Sequence, residues 1–304
     1  MYDLVIIGGG AAGLTAAIYA ARAGIDFVVL EQDGWGGGQI TSAHNVENYP
    51  GVPNVNGADL GELIKEQAVS FGARIELGIV EDIRDNGSCK EIILHSGDVV
   101  ETKTVIAATG ANPRKLNVAG EQTLLGRGVS YCAVCDGAFF ADKDVFVIGG
   151  GDTAVEDAIY LSSICKSVTL VHRRDAFRAP QTRLDILKSL HNVAIRCNEV
   201  LNAITGGNRV DGVELKSVNG CEHYNADGVF IAVGSVPATD YLKNLPLTFD
   251  NNYVAANEDC RTSVDGLFVA GDIRKKQLRQ VVTAVADGAN AAASAIEYLK
   301  EKLC

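Results

Sequence analysis

The sequence predicts an α/β fold made of two units of related build, and three observations carry that prediction. A short apolar strand runs into a glycine-rich turn twice, at residues 8–13 and 149–154, and each turn opens a helical stretch. The order of elements after the first turn recurs after the second. Each repeat is domain-sized, which points to two related domains and not to a solenoid, and 304 residues suffice for two hydrophobic cores.

The first unit begins with Leu4-Val5-Ile6-Ile7 and Gly8-Gly9-Gly10-Ala11-Ala12-Gly13. An Ala-rich helix follows from Leu14 to Ala23, with Gly24 as its stop. The strand Phe27–Leu30 then closes on Glu31, 18 residues after the third glycine. This is G-x-G-x-x-G in its working context, the Rossmann-like signature for a dinucleotide. Gly8 permits the tight turn, Gly10 lets a pyrophosphate approach the backbone, and Gly13 allows close helix–strand packing. Glu31 suits the ribose hydroxyls of an adenosine. Its charge repels a 2′-phosphate, so this half is expected to hold FAD or NAD and not NADP.

Next comes a glycine-rich loop, residues 34–39, and a turn-rich segment, residues 45–51. Gly37 and Gly38 would let backbone approach a cofactor, and Gln39 or Asn48 could supply hydrogen bonds to it. A simple surface loop is an equal reading. Helical periodicity covers residues 58–71, and a β-meander is predicted over 74–83, 91–95 and 99–101. The buried strand 104–110 ends in Thr109-Gly110, and Pro113 breaks regular structure.

The second signature is Val145–Ile148 followed by Gly149-Gly150-Gly151-Asp152-Thr153-Ala154, with a helix from Val155 to Ser162. After the strand Val168–Val171 the acid is missing. His172, Arg173 and Arg174 stand there, with Arg178 four residues on. Guanidinium groups bind phosphate bidentately, so the cluster is read as a site for the 2′-phosphate of NADPH in preference to a solvated basic patch. A helix over 183–190, strand-like residues 193–204 and 210–216, and a strand over 228–234 repeat the first half. A last strand-to-turn unit, residues 266–272, ends on Asp272 and leads to a long amphipathic helix from Gln280 to Leu299. Asp272 can bond a cofactor hydroxyl. The helix N-terminus near Gln280 and Val281 favours negative charge on a reduced cofactor ring.

Between the two signatures lies Cys132-Ala133-Val134-Cys135-Asp136-Gly137. C-x-x-C alone is half a zinc site, a redox pair or two buried thiols. Cysteines 89, 165, 197, 221, 260 and 304 are scattered singly, and His172 and His191 form no close pair, so no metal site is expected. The flanking dinucleotide signatures favour redox chemistry. Cys304 reads as a frayed terminal thiol.

The net charge of −11 disfavours nucleic acid and anionic membrane as partners. No stretch approaches the roughly 18 apolar residues of a membrane helix. Residues 1–4 lack the basic and apolar regions of a signal peptide, so the chain reads as cytoplasmic, where a C-x-x-C is more readily catalytic than structural.

Taken together, Gly8–Gly13, Glu31, Gly37-Gly38-Gln39, Glu47-Asn48-Tyr49-Pro50-Gly51, Cys132–Gly137, Gly149–Ala154, His172–Arg178 and Gly271-Asp272 with Arg279-Gln280 closely resemble the low-molecular-weight, bacterial-type thioredoxin reductases. The resemblance covers essentially the whole chain. It implies two Rossmann-like (three-layer ββα) dinucleotide-binding domains, the second inserted into the first. An FAD domain would comprise residues 1–114 and 244–304, and an NADPH domain carrying the disulfide, residues 115–243. It implies a homodimer and a rotation of the inserted domain between turnover steps. FAD would be held by Gly8, Gly10, Ala12, Gly13, Glu31, Gly37, Gly38, Gln39, Asn48, Gly110, Gly271, Asp272, Arg279, Gln280 and Val281. NADPH would be held by Gly149, Gly151, Asp152, Thr153, Ala154, His172, Arg173, Arg174 and Arg178. Hydride would pass from NADPH to FAD and on to a Cys132–Cys135 disulfide, which reduces oxidised thioredoxin. Cys135 would lie nearer the flavin, Cys132 would attack the partner, and Asp136 would be the general acid–base, a role compatible with capping a helix.

Three positions depart from the family pattern. Trp35 sits where a small residue is expected, and Asp152 where many relatives have Asn. Ala138 replaces an aromatic, leaving Phe139 and Phe140 as candidates for docking the partner. The alternatives are the same fold fed by ferredoxin, a glutaredoxin-like or peroxidase-linked partner, and a non-catalytic nucleotide-binding redox sensor. The intact second signature argues against ferredoxin.

Overall fold

The computed structural model describes residues 1–33, 36–43, 46–87 and 89–303. Trp35, Asn45 and Cys304 lie outside the described residues. The chain divides into two compact units, Met1–Asn112 with Val236–Cys304, and Pro113–Ser235.

In chain order the first unit opens with β1 (Tyr2–Ile7), α1 (Ala11–Arg22), β2 (Phe27–Glu31), α2 (Gly57–Ser70) and β3 (Ile75–Leu77). The hairpin strands β4 (Val80–Asp85) and β5 (Lys90–Leu94) lead to the long β6 (Val99–Ala107). The second unit holds β7 (Val129–Ser130), α3 (Ala133–Asp136), β8 (Asp144–Ile148), α4 (Asp152–Ser162), β9 (Ser167–His172), α5 (Gln181–Ser189) and β10 (Val193–Cys197). It continues through β11 (Val200–Gly206), β12 (Val210–Ser217), β13 (Gly220–Asn225) and β14 (Gly228–Ile231). The chain returns to the first unit with β15 (Leu267–Val269) and α6 (Val281–Leu303).

Each unit is a three-layer sandwich, and strand composition explains why. All five residues of β2 are buried, as expected of a parallel strand covered on both faces. The parallel order is β3-β2-β1-β6 with β15 beside β6, while β4, β5 and the first half of β6 form the antiparallel meander. On one face Leu4, Ile6, Val29 and Ile106 pack with Leu14 and Ala16 of α1, Leu60 of α2 and Ala291 of α6. On the other, Val5, Ile7, Val28 and Val105 meet Ile83 and Ile92 of the meander. Successive strand residues thus serve opposite layers. The second unit repeats the plan, with parallel order β10-β9-β8-β14-β7 and the antiparallel strands β11-β12-β13. Val147 and Leu170 face the helices, and Phe146 and Ile148 face Leu201, Val213 and Leu215.

The unit boundaries differ from those read in the sequence. Residues 236–243 belong to the first unit, because Tyr241 and Leu242 pack with Ile83, Val254 and Leu267. The strand-like run 193–204 is two strands, broken where Asn198 takes a left-handed φ of 61°. Among the described residues no helix is long and apolar enough to cross a membrane.

Candidate active site

The first glycine turn is built by sterics. Gly8 has φ 105°, and a Cβ there would lie 2.6 Å from the carbonyl oxygen of Ala108. A Cβ on Gly13 would lie 1.8 Å from the carbonyl oxygen of Gly8, so α1 can sit on the turn only as glycine. Gly10 differs: nothing but the Gly38 Cα, at 3.8 Å, comes near its missing side chain. That open face lies at the N-cap of α1, and the N-terminus of a helix favours an anion. Gly13→Ala is therefore expected to cost about 1–3 kcal/mol through overpacking against backbone. A melting temperature within a degree of the unaltered protein would contradict this account of the turn.

Glu31 ends β2 and is 7% exposed. One carboxylate oxygen accepts from the Gly9 N–H, and the other from the Gln32 N–H at 2.8 Å. Each oxygen keeps a lone pair for a ribose hydroxyl, so backbone contacts orient the carboxylate without exhausting it. Gly37 donates its N–H to the Gly9 carbonyl at 2.6 Å, which brings the 36–39 loop onto the turn. Gln39 is turned to the Ala111 carbonyl, and its amide lies 3.6 Å from where a Gly110 Cβ would be. Asn48 Nδ2 donates to Gln280 Oε1 at 2.9 Å, joining the turn-rich segment to the start of α6. Gly271, with φ 78°, would place a Cβ 2.9 Å from that of Ala12, so the Gly271-Asp272 turn abuts the first turn of α1.

Among the described residues, two buried polar atoms at this end of the first unit have no hydrogen-bond partner: Asp272 Oδ1 and Arg279 Nε. Burial raises the Asp272 carboxyl above the usual carboxylate range, against the pull of Lys276 and Arg279. The Arg279 guanidinium stacks over the Tyr253 ring at 4.0 Å. Buried polar atoms without partners are costly. Together with the open Gly10 face, they fit a dinucleotide that brings hydroxyl groups.

In the second unit Gly149 is enclosed, its Cβ position being 2.3 Å from the Ala232 carbonyl oxygen. Gly151, the N-cap of α4, is open except for Arg178 Nη2 at 3.7 Å. Arg178 also donates its N–H to the Gly150 carbonyl at 2.9 Å, which ties the basic loop to the glycine turn. Arg173, Arg174 and Arg178 are exposed, whereas His172 is buried under Gly150. The His172 ring bonds the Ala176 carbonyl at 3.1 Å and lies against Phe177. Burial first, then the three arginines, lower its pKa. His172 thus shapes the loop from inside while the arginines face outward. Asp152 and Thr153 are exposed on the first turn of α4, and Ala154 is buried.

Cys132 and Cys135 form a disulfide across α3, with Cα atoms 5.3 Å apart. Cys132 is the N-cap, its sulfur 3.1 Å from the Cys135 N–H. Asp136 follows, half-buried, and Ser130 donates its hydroxyl to Asp136 Oδ2 at 2.6 Å while accepting the Cys132 N–H at 3.0 Å. One serine thus ties the carboxylate to the cysteine backbone. Tyr131 is anchored to Glu121 at 2.8 Å, and Glu121 also takes the N–H groups of Leu116 at 2.9 Å and Asn117 at 2.6 Å. Burial and Glu121 push the Tyr131 hydroxyl pKa up. The two phenylalanines part company: Phe139 is 42% exposed, but Phe140 is 8% exposed and packs edge-on against Phe230. Phe140 is a core residue and not a docking one, because the short helical turn alternates the pair between solvent and core. Among the described residues no cluster of His, Cys, Asp or Glu is arranged to hold a metal.

The second unit thus carries a disulfide beside a carboxylate, and each unit carries a glycine turn at the start of a helix. The chain matches the pyridine nucleotide-disulphide oxidoreductase family over residues 2–288. It belongs to that family. It is 44% identical to a thioredoxin reductase of Listeria monocytogenes over 304 residues, covering 99% of this chain and 95% of the relative. It is 41% identical to the thioredoxin reductase of Bacillus subtilis, covering 99% and 96%. Among solved structures it is similar to a thioredoxin reductase of Streptococcus pyogenes, with TM-score 0.94 and 42% identity over 99% of both chains. It is also similar to one of Giardia duodenalis, with TM-score 0.93 and 36% identity over 98% and 99%. The fold, two dinucleotide-binding domains of the α/β class, is that of this family.

Ser130, Glu121 and the buried charges around Asp287 were missed in the sequence. Ser130 and Glu121 carry no spacing signal. Asp287 carried a weak one: a lone acid in an alanine-rich helical run.

Proposed function

We propose that the chain is an NADPH-dependent flavoprotein that reduces the disulfide of a thioredoxin-like protein, working as a cytoplasmic homodimer. In this reading the first unit holds FAD and the second holds NADPH and the redox disulfide. The observation that carries it is the Cys132–Cys135 disulfide with Asp136 held against it by Ser130. When bound, FAD supplies a relay that takes a hydride from NADPH and delivers two electrons to a disulfide.

The chain's own residues do the rest. Gly10 and the N-terminus of α1 would receive the FAD pyrophosphate, Glu31 would accept the adenosine ribose hydroxyls, and Asp272 would accept a hydroxyl of the flavin nucleotide. Gln39, Asn48, Gly110, Arg279, Gln280 and Val281 complete that site. Gly149, Gly151, Asp152, Thr153 and Ala154 receive the NADPH pyrophosphate. Arg173, Arg174 and Arg178 grip the 2′-phosphate, and His172 holds their loop.

Two electrons and two protons convert the disulfide to two thiols. The Cys132 thiolate attacks the partner's disulfide, forming a mixed disulfide and expelling one partner thiolate. Cys135 then attacks Cys132 Sγ, which closes the Cys132–Cys135 disulfide and expels the second partner thiolate. Asp136 takes the Cys132 proton before attack and gives it to the first leaving thiolate, then takes the Cys135 proton and gives it to the second.

Mixing the protein with NADPH and an oxidised thioredoxin tests the proposal: NADPH should be consumed in step with new thiols on the thioredoxin. NADPH oxidation that thioredoxin does not stimulate would count against it. Asp136→Asn is expected to slow thiol–disulfide exchange by about 10²-fold while leaving flavin reduction by NADPH intact. Loss of flavin reduction in that variant would contradict the assigned role, and rapid-mixing absorbance separates the two steps.

A further inference from the structure

Asp287 stands on a buried face of α6, in an otherwise alanine-rich stretch, and is 3% exposed. Its carboxylate accepts four hydrogen bonds. Gly271 N–H reaches Oδ2 at 3.0 Å, Arg274 Nε reaches Oδ2 at 3.2 Å and Arg274 Nη2 reaches Oδ1 at 2.7 Å. Lys276 Nζ reaches Oδ2 at 3.0 Å. Arg274 has further partners in the carbonyls of Ala256 at 3.3 Å and Asn257 at 2.8 Å. Lys276 has a further hydrogen bond to the Thr283 hydroxyl at 3.4 Å, and forms an ion pair with Asp272 Oδ1 at 3.6 Å, beyond hydrogen-bond length.

The Lys276 ammonium therefore sits between two carboxylates, bonded to Asp287 and standing off Asp272. Asp272 Oδ1 is buried and accepts no hydrogen bond from the described residues. A buried ammonium and a buried carboxylate oxygen at this separation would close to direct contact if nothing else held the cation. The only carboxylate in hydrogen-bond contact with it among the described residues is that of Asp287, at 3.0 Å, with the Thr283 hydroxyl a longer contact at 3.4 Å.

We infer that Asp287 is a positioning residue for the flavin site: it draws Lys276 off Asp272 and so keeps Asp272 Oδ1 open to a hydroxyl of the bound flavin nucleotide. Through the Gly271 N–H the same carboxylate pins the left-handed turn, φ 78°, that aims Asp272. Without Asp287, Lys276 collapses onto Asp272 and occupies the acceptor that the nucleotide uses. This rests on the reading of the first unit as the FAD domain.

The test is FAD release from the purified full-length protein, read as free-flavin fluorescence on dilution. Asp287→Asn is expected to weaken FAD binding at least about 10-fold, with the circular dichroism spectrum unchanged. Lys276→Met in that background is expected to restore most of the lost affinity, because it removes the competing cation. Equal weakness in the single and double variants would reduce Asp287 to a structural role and overturn the inference. So would unaltered FAD binding in Asp287→Asn. If Asp287→Asn does not accumulate as folded protein, Lys276→Met alone is expected to bind FAD as tightly as the unaltered protein, and a 10-fold loss there would overturn the inference. An unaltered protein that binds no FAD at all overturns the FAD reading itself, and the inference with it.

Discussion

Cys135→Ser is expected to leave the protein able to accept reducing equivalents from NADPH but unable to pass them to a thioredoxin, with turnover down by more than about 10³-fold. The two sulfurs act as one unit, joined across a single turn with Cα atoms 5.3 Å apart. Removing either leaves no disulfide to reduce; without Cys135 no thiol resolves the mixed disulfide, and without Cys132 none forms it. Cys132→Ser is expected to lose as much, since the residues of a unit are not additive. The fold should survive both changes, because neither sulfur belongs to a hydrophobic core cluster. Steady-state NADPH oxidation with thioredoxin, set beside anaerobic flavin absorbance, checks both halves of the claim. Substantial turnover in either serine variant would place the redox centre elsewhere.

The second large effect concerns the nucleotide. Changing Arg173 and Arg174 together to Ala removes two exposed guanidinium groups from a loop that the Arg178 N–H ties to Gly150. Charge-assisted hydrogen bonds contribute about 1.5–3 kcal/mol each, so KM for NADPH should rise by about 10²-fold or more. KM for NADH should barely change, because NADH carries no 2′-phosphate. Equal losses with both nucleotides would show that the arginines do not read that phosphate. His172 makes a useful contrast. It is buried and hydrogen-bonded to the Ala176 carbonyl, so His172→Ala should disturb both nucleotides alike.

Much of this was legible in the sequence because it is steric and local. A glycine at 13 is forced by the Gly8 carbonyl one turn away, and a glycine at 8 by φ 105°. Such constraints leave the same spacing wherever a helix starts on a dinucleotide turn. C-x-x-C is likewise a local statement about two sulfurs. What stayed hidden depends on which face a side chain takes or on partners far along the chain. His172 reads like a member of the basic cluster, yet strand β9 turns it inward and leaves the arginines outside. Phe139 and Phe140 read as equals, but packing against Phe230 claims one of them. Residues 236–243 fell on the other side of the predicted boundary because Tyr241 and Leu242 complete a core whose other members reach back to Val5. Asp287 and Lys276 are 11 residues apart, and nothing in their spacing shows that they share a buried carboxylate oxygen.

The central claim is that electrons from NADPH reach the Cys132–Cys135 disulfide through FAD bound to this chain. The most direct measurement is an anaerobic titration of the purified protein with NADPH, following flavin absorbance and then counting thiols with an alkylating reagent. The account predicts rapid bleaching followed by two newly reactive thiols per chain, assigned by mass to the peptide holding Cys132 and Cys135. A flavin that stays oxidised with NADPH, or one that bleaches while the disulfide remains closed, would contradict it.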